Sequence, residues 1–257
     1  MAERSGHIAV FDSGVGGISV LRELVKIMPG ERYLYFGDSA NAPYGTRPTQ
    51  EICQLTEQAV EQLLQRNIKA LVVACNTATA AAIDRLRQRY PELIVIGIEP
   101  ALKPAVTQFP NGSVGLMATP ATLRGEKLKR LLNQHPHSQL CLIPAPGLVE
   151  LVEAGLANTP QMDAFLTPIL APFAGKLDAL VLGCTHYPFA IPAIRRVLGP
   201  DTVLFDGGEG TARETKRRLL QQDLLEEGPG SLIFENSLPD PKILELCKTL
   251  LTEASYG

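Results

Sequence analysis

Several features are missing or scarce in this chain of 257 residues. No apolar run reaches the roughly 18 residues that a membrane-spanning helix needs, so we expect no membrane segment. Lys and Arg number 24 against 27 Asp and Glu, and the resulting net charge of −3 predicts no nucleic-acid-binding surface. The N-terminal residues are polar and a strand-like run follows them at once, which leaves no room for a secretion signal.

Cysteine is present, but in no pairing pattern. The five cysteines are an odd number and form no CxxC motif, so we expect reduced thiols and a cytoplasmic location. Cys53, Cys141 and Cys247 fall inside predicted helices or strands, where a free cysteine behaves as a small hydrophobic residue. Cys75 and Cys184 differ from these three because each directly follows a strand-like run.

The hydrophobic pattern predicts the fold class. Apolar residues make up 45% of the chain and charged residues 20%, which excludes a disordered or fibrous protein. Short, almost continuous apolar runs alternate with helical stripes, as is typical of an α/β protein with parallel strands covered on both faces. The predicted strands occupy residues 8–11, 33–36, 71–74, 93–97, 114–117, 140–143, 180–182, 203–205 and 232–234.

An internal similarity suggests that the chain has two related halves. Residues 69–75 read KALVVAC and residues 178–184 read DALVLGC, with four of seven positions identical at an offset of 109. Residues 8–13 loosely match residues 114–119 at an offset of 106. Two similar offsets favour two doubly wound domains with mostly parallel sheets, related by a pseudo-two-fold axis. Strand composition shared by unrelated segments would produce the same pattern.

Two segments are candidates for crossings between the domains. The first is the proline-containing segment 98–112, and the second lies near residues 206–208. These crossings predict a first domain formed by residues 1–98 together with 207–257, and a second domain formed by residues 99–206.

Cys75 and Cys184 occupy matching positions at the carboxyl ends of their strand runs, where open α/β sheets bind ligands. A helix that begins nearby would lower the pKa of such a thiol, and its N–H groups would hold a carboxylate. If the halves face each other, the thiols approach one ligand from opposite sides. One thiol could then remove a proton from a carbon atom while the other returns a proton on the opposite face.

The glycine-rich segment 12–17, DSGVGG, follows the first strand and opens a helix. One interpretation is a GxGxxG dinucleotide fingerprint, in which Gly14 and Gly16 fit but Ser19 stands at the sixth position. Asp12 counts against it, because a carboxylate there would face pyrophosphate. A second interpretation is a tight turn from strand to helix. A third is an amino-acid site in which Asp12 pairs with an ammonium group.

Together these motifs resemble the glutamate racemase family, within the aspartate/glutamate racemase superfamily. The resemblance covers nearly the whole chain, from about residue 8 to the last helix. The matching motifs, in order, are DSGVGG at 12–17, PYG at 43–45, CNT at 75–77, LVEAG at 151–155 and GCTHYP at 183–188.

The resemblance implies an isomerase that interconverts L- and D-glutamate for peptidoglycan without cofactor or metal. It also implies an active site in the cleft between two α/β domains, and usually a homodimer. Cys75 and Cys184 would be the catalytic pair, with Asp12 assisting Cys75, and with Glu153 and His186 assisting Cys184. The residues that the resemblance places at the substrate are Asp12, Ser13, Tyr44, Gly45, Asn76, Thr77, Thr119, Thr122, Thr185 and His186.

Other interpretations remain open from the sequence. Asp12 and Glu153 could be helix-end or ion-pair carboxylates. His186 could be a buried structural histidine or, with Cys184, half of a metal site, although no further ligands cluster with them. Rival functions are an aspartate racemase or related two-cysteine isomerase, a dinucleotide-dependent dehydrogenase, and a protein that binds an amino acid without converting it.

Overall fold

The computed structural model describes residues 4–136 and 139–252. The outermost residues of the predicted first domain, 1–3 and 253–257, therefore lie outside the described part. Each of the nine predicted strand runs overlaps an observed strand. The strands are β1 (His7–Asp12), β2 (Arg32–Gly37), β3 (Ile68–Val73), β4 (Ile94–Gly97), β5 (Val114–Ala118), β6 (Leu140–Pro144), β7 (Ala179–Leu182), β8 (Val203–Asp206) and β9 (Ser231–Asn236).

Helices connect the strands. In the second helix, Ile52, Ala59 and Leu63 recur at helical spacing and are buried, which gives the helix one apolar face. None of the helices within the described ranges combines the length and apolar character that crossing a membrane requires. The helices are α1 (Ile18–Ile27), α2 (Thr49–Leu64), α3 (Asn76–Arg89), α4 (Leu102–Gln108), α5 (Pro120–Arg124), α6 (Glu126–Gln134), α7 (Leu148–Glu153), α8 (Pro160–Leu170), α9 (Ile191–Leu198), α10 (Gly208–Gln221) and α11 (Pro241–Thr252).

Two parallel sheets share one topology. The first sheet has the order β4-β3-β1-β2-β9 and the second has the order β6-β5-β7-β8. If β1 is matched with β5, β2 with β6, β3 with β7 and β4 with β8, the two orders are the same, and β9 extends the first sheet. The sequence repeat predicts the first and third of these matches. The predicted α/β class with two similar, parallel-stranded sheets is confirmed.

The chain passes between the sheets twice. It leaves the first sheet after β4 to begin the second at β5, and it returns after β8 to form β9. The two passages touch, because a Cβ on Gly207 would overlap the carbonyl oxygen of Glu99. Below, the first half means residues 7–97 and 208–252, which build the first sheet and its helices, and the second half means residues 114–206.

The central strands are buried on both faces, as their continuous apolar character predicts. Every residue of β3 and β7 is buried, whereas the edge strands β8 and β9 are half exposed because each has one neighbour. One apolar cluster runs from Val10 and Tyr35 in the first half to Leu180 and Leu182 in the second. The two halves therefore share a continuous core beneath the cleft.

One buried ion pair lies at the amino ends of the strands of the first sheet. Lys69 is the second residue of β3, and its Nζ lies 2.6 Å from Glu31 Oε2, with both side chains fully buried. Lys69 also donates to the carbonyl oxygen of Leu224 at 2.9 Å, and Glu31 accepts from the backbone N–H of Glu226 at 2.9 Å. These bonds satisfy the two charges and fasten the loop after α10 to the sheet.

Candidate active site

Cys75 lies between β3 and α3 and occupies the N-cap position of that helix. Its Sγ accepts a hydrogen bond from the backbone N–H of Ala78 at 3.4 Å and lies 3.4 Å from Ser13 Oγ. Burial, together with the negative charge of Asp12, raises the pKa of the Cys75 thiol to about 12. The sequence-based expectation of a lowered pKa is therefore wrong for Cys75, because the cost of burying a thiolate exceeds the benefit of the helix terminus.

Cys184 follows β7 at the matching place in the second half. His186 Nδ1 lies 3.8 Å from Cys184 Sγ, and His186 Nε2 lies 2.6 Å from Glu153 Oε1. Burial lowers the pKa of His186, but the hydrogen bonds to Cys184 and Glu153 outweigh it, so this pKa lies well above the usual value. The imidazole links the Glu153 carboxylate to the sulfur of Cys184.

Two carboxylates join the halves across the cleft. Asp12 ends β1 and accepts hydrogen bonds from the backbone N–H of Gly14 at 2.9 Å and from Thr185 Oγ1 at 3.0 Å. Asp12 is fully buried, and burial raises its pKa. Glu153 ends α7 and accepts from the backbone N–H of Val15 at 2.7 Å. Each carboxylate therefore bonds to a residue of the opposite half.

The glycine-rich turn is the place where the second half approaches most closely. A Cβ on Gly14 would lie 2.7 Å from Glu153 Cδ, and a Cβ on Gly16 would lie 2.5 Å from His186 Cε1. The space in which a dinucleotide pyrophosphate would approach this turn is thus filled by two side chains. The dinucleotide interpretation is wrong, and the glycines serve a tight turn that accommodates Glu153 and His186.

The PYG motif at residues 43–45 also borders the site. Tyr44 donates its hydroxyl hydrogen to Asp38 Oδ2 at 2.7 Å, so this hydroxyl is already engaged within the first half. Gly45 packs against the second half, since a Cβ at this position would lie 2.9 Å from Thr119 Cβ.

Three threonine hydroxyls meet beside the PYG motif. The Oγ1 of Thr77, at the start of α3, lies 3.2 Å from that of Thr119 and 3.3 Å from that of Thr122. Thr119 caps α5 and bonds to Thr122 at 3.0 Å. Because Thr77 belongs to the first half and the other two to the second, this cluster is a further contact across the cleft.

These groups enclose a small cavity that both cysteines line. Its volume of about 10 Å³ has room for roughly one water molecule. Ten of the thirteen predicted site residues line it, while Asp12, Glu153 and Thr122 lie behind the lining. The lining residues are Ser13, Pro43, Tyr44, Gly45, Cys75, Asn76, Thr77, Thr119, Val149, Cys184, Thr185 and His186.

Two lining residues, Pro43 and Val149, are absent from the sequence-based prediction. Val149 precedes Glu153 by four residues on α7, so helical spacing places both on one face and could have indicated it. Pro43 belongs to the PYG motif itself. Within residues 4–136 and 139–252, no group of three or more His, Cys, Asp or Glu side chains is arranged to hold a metal ion.

The Asp/Glu/Hydantoin racemase family matches residues 8–215. The chain belongs to this racemase family. A glutamate racemase of Clostridium acetobutylicum is 48% identical over 255 residues, covering 98% of this chain and 99% of that protein. One from Clostridium perfringens is 46% identical over 252 residues, covering 96% and 97%.

Solved structures agree with the sequence relatives. The crystal structure of a glutamate racemase isoform from Bacillus anthracis has a TM-score of 0.86 at 31% identity, covering 96% of this chain and 94% of that one. The family resemblance predicted from the motifs is confirmed, and so is the enzyme class, since a racemase is an isomerase.

Proposed function

We propose that this racemase interconverts L- and D-glutamate and that Cys75 and Cys184 are its two acid–base groups. The observation that carries the proposal is that thiols from opposite halves line one cavity. The relatives support glutamate as the substrate. The Escherichia coli glutamate racemase structure, with a TM-score of 0.84 at 31% identity, contains L-glutamate. The Francisella tularensis structure, with a TM-score of 0.83 at 28% identity, contains D-glutamate.

In this mechanism one cysteine acts as a thiolate and takes the α-proton. The electron pair of the broken C–H bond remains on the substrate as a carbanion, and the opposite thiol then donates its proton to the other face. Each turnover exchanges the protonation states of the two sulfurs. With a pKa of about 12, Cys75 is the protonated partner in the free enzyme, which suits it to donate. The His186 ring lies beside Cys184, the sulfur that would then accept the proton.

The start of α3 is suited to hold the substrate carboxylate. Asn76 and Thr77 open this helix and line the cavity, and the first N–H groups of a helix have no acceptor within it. The same groups would stabilise the negative charge that builds up when the α-proton leaves. In the described part of the chain, Asn76 Oδ1 is buried without a hydrogen-bond partner, and it is therefore available to the substrate ammonium. Asp12 is less available, because both its oxygens already accept hydrogen bonds.

The carboxylates act through other groups in this scheme. The negative charge of Asp12 adds to burial in raising the pKa of Cys75. Glu153 orients the His186 ring and raises its pKa. Both are positioning residues, because neither lines the cavity.

Glutamate is far larger than the cavity, so the halves must separate for it to enter. We place the domain boundaries at 98/99 and 206/207, where the two passages between the sheets touch. Domain closure would then exclude water and assemble the site around the bound substrate. A supply of D-glutamate for peptidoglycan, a cytoplasmic location and a homodimer are proposed from the family resemblance.

The mechanism is tested by exchanging one sulfur at a time. Cys75→Ser and Cys184→Ser should each lower racemisation of both enantiomers by roughly 10²–10⁴-fold, because either change removes one of the two proton carriers. Incorporation of deuterium at Cα in heavy water, together with circular dichroism of the product, measures this. Cys141→Ser is the matched control, since Cys141 lies on β6 away from the cavity, and it should remain fully active.

Full activity in either cavity variant would contradict the two-base scheme. Faster turnover of aspartate than of glutamate by the wild-type enzyme would contradict the substrate assignment. Bound glutamate that keeps its handedness would instead indicate a binding protein.

A further inference from the structure

Ser19 connects the two halves beneath the active site. It lies in the first turn of α1, and only 6% of its surface is exposed. Its Oγ lies 2.9 Å from the carbonyl oxygen of Gly16 and 2.9 Å from that of Thr185, so its one hydroxyl hydrogen is shared between the two acceptors. Gly16 belongs to the first half and Thr185 to the second. Ser19 is also the residue that departs from the dinucleotide fingerprint, which has a glycine at this position.

We propose that Ser19 is a positioning residue that holds Cys184 in register with Cys75 by fixing the backbone of Thr185. This inference rests on the proposed function, since it concerns the same pair of thiols. Thr185 is held from the first half at two points, because its hydroxyl donates to Asp12 and its carbonyl accepts from Ser19. Cys184 is the preceding residue, so the two bonds fix the peptide that carries its sulfur.

The two bonds that hold Thr185 differ in their dependence on protonation. The bond to Asp12 depends on the protonation state of a buried carboxylate, whereas a serine hydroxyl stays neutral at every working pH. Thr185 is itself only 3% exposed. A buried carbonyl that loses a donor is better satisfied when water reaches it, so losing the Ser19 hydroxyl favours the open arrangement of the halves.

The test compares wild-type enzyme with Ser19→Ala by thiol alkylation without substrate. Iodoacetamide is too large for the cavity, so Cys75 and Cys184 react only when the halves separate. Mass spectrometry then gives a rate for each cysteine. We expect about tenfold faster alkylation at both cavity cysteines and an unchanged rate at Cys53, which is 5% exposed, is buried between α2 and α3 within the first half, and reports general unfolding. The value of kcat/KM for glutamate should fall by a similar factor.

Thr56→Val is the matched control. Thr56 is fully buried, and its hydroxyl bonds within α2 to the carbonyl oxygen of Ile52 at 2.7 Å, so its loss breaks no bond between the halves. This variant should alkylate its cavity cysteines at the wild-type rate.

Wild-type alkylation rates in Ser19→Ala, or an equal increase at Cys53, would overturn the positioning role. The proposed function fails separately, because its failure appears as a wild-type enzyme that does not racemise glutamate, whatever the alkylation rates.

Discussion

Gly16→Ala tests whether the glycine-rich turn exists to accommodate His186. The added Cβ would lie closest to His186 Nδ1, and 2.5 Å from Cε1 and 2.7 Å from Cγ, whereas ordinary contact begins at 3.4 Å, so the ring must move by more than about 0.9 Å. The ring has little freedom to do so, because it is 2% exposed and bonded to Glu153 at 2.6 Å. A displacement of about 1 Å at a reacting group costs roughly 10²-fold in rate. We therefore expect activity near one hundredth of wild type.

The assay follows racemisation of each enantiomer by circular dichroism, alongside a thermal melt. Overpacking of this kind destabilises a fold by about 1–3 kcal/mol, so the variant should fold and still be nearly inactive. Gly210→Ala is the control, since a Cβ on Gly210 in α10 meets no atom within 4 Å. It should be fully active and slightly more stable. Gly16→Ala with more than half of the wild-type activity would refute the steric argument.

Two further predictions concern charge. Because burial raises the pKa of Cys75 to about 12, this thiol keeps its proton and can act as the acid well below that pH, so kcat/KM should not fall between about pH 7 and pH 9, and it should be the same for both enantiomers because mirror images have equal free energy. A fall within this range in initial-rate profiles would contradict this. Lys69→Met leaves Glu31 buried without its cation, and urea unfolding should show a loss of about 3–5 kcal/mol. Lys248→Met, which breaks an exposed ion pair, should cost less than about 1 kcal/mol, and equal losses would refute the buried-pair argument.

The sequence predicts the strands well because parallel strands buried on both faces must be apolar at almost every position. The predicted runs overlap the strands observed in the described residues for this reason. Strand order is harder to predict, since an apolar run does not identify its neighbours. The repeat between residues 69–75 and 178–184 predicts that β3 and β7 are equivalent, but none of the strands described within residues 114–136 and 139–206 corresponds to β9. Its place beside β2 at the edge of the first sheet is therefore visible only in the structure.

The site is predicted in part for a similar reason. Residues that end strands and begin helices, such as Cys75 and Thr185, lie at the cavity because the fold gathers the carboxyl ends of strands there. The sequence does not reveal burial depth, which explains why the pKa of Cys75 was expected to fall and instead rises. It also does not reveal contacts between the halves. Ser19 and Val149 acquire their roles only when the second half closes on the first.

The repeat also shows where the two halves have become unequal. The offset of 106 that matches β1 with β5 matches Asp12 with Ala118, so the second half has no carboxylate at the equivalent strand end. The second half instead provides Glu153 from α7, and this carboxylate reaches the sulfur of Cys184 through the His186 ring. One sulfur therefore lies near the Asp12 carboxylate and the other beside an imidazole that is hydrogen-bonded to Glu153, although both stand at matching positions. The repeat thus supplies equivalent backbone positions for the two sulfurs, while the side chains around them differ between the halves.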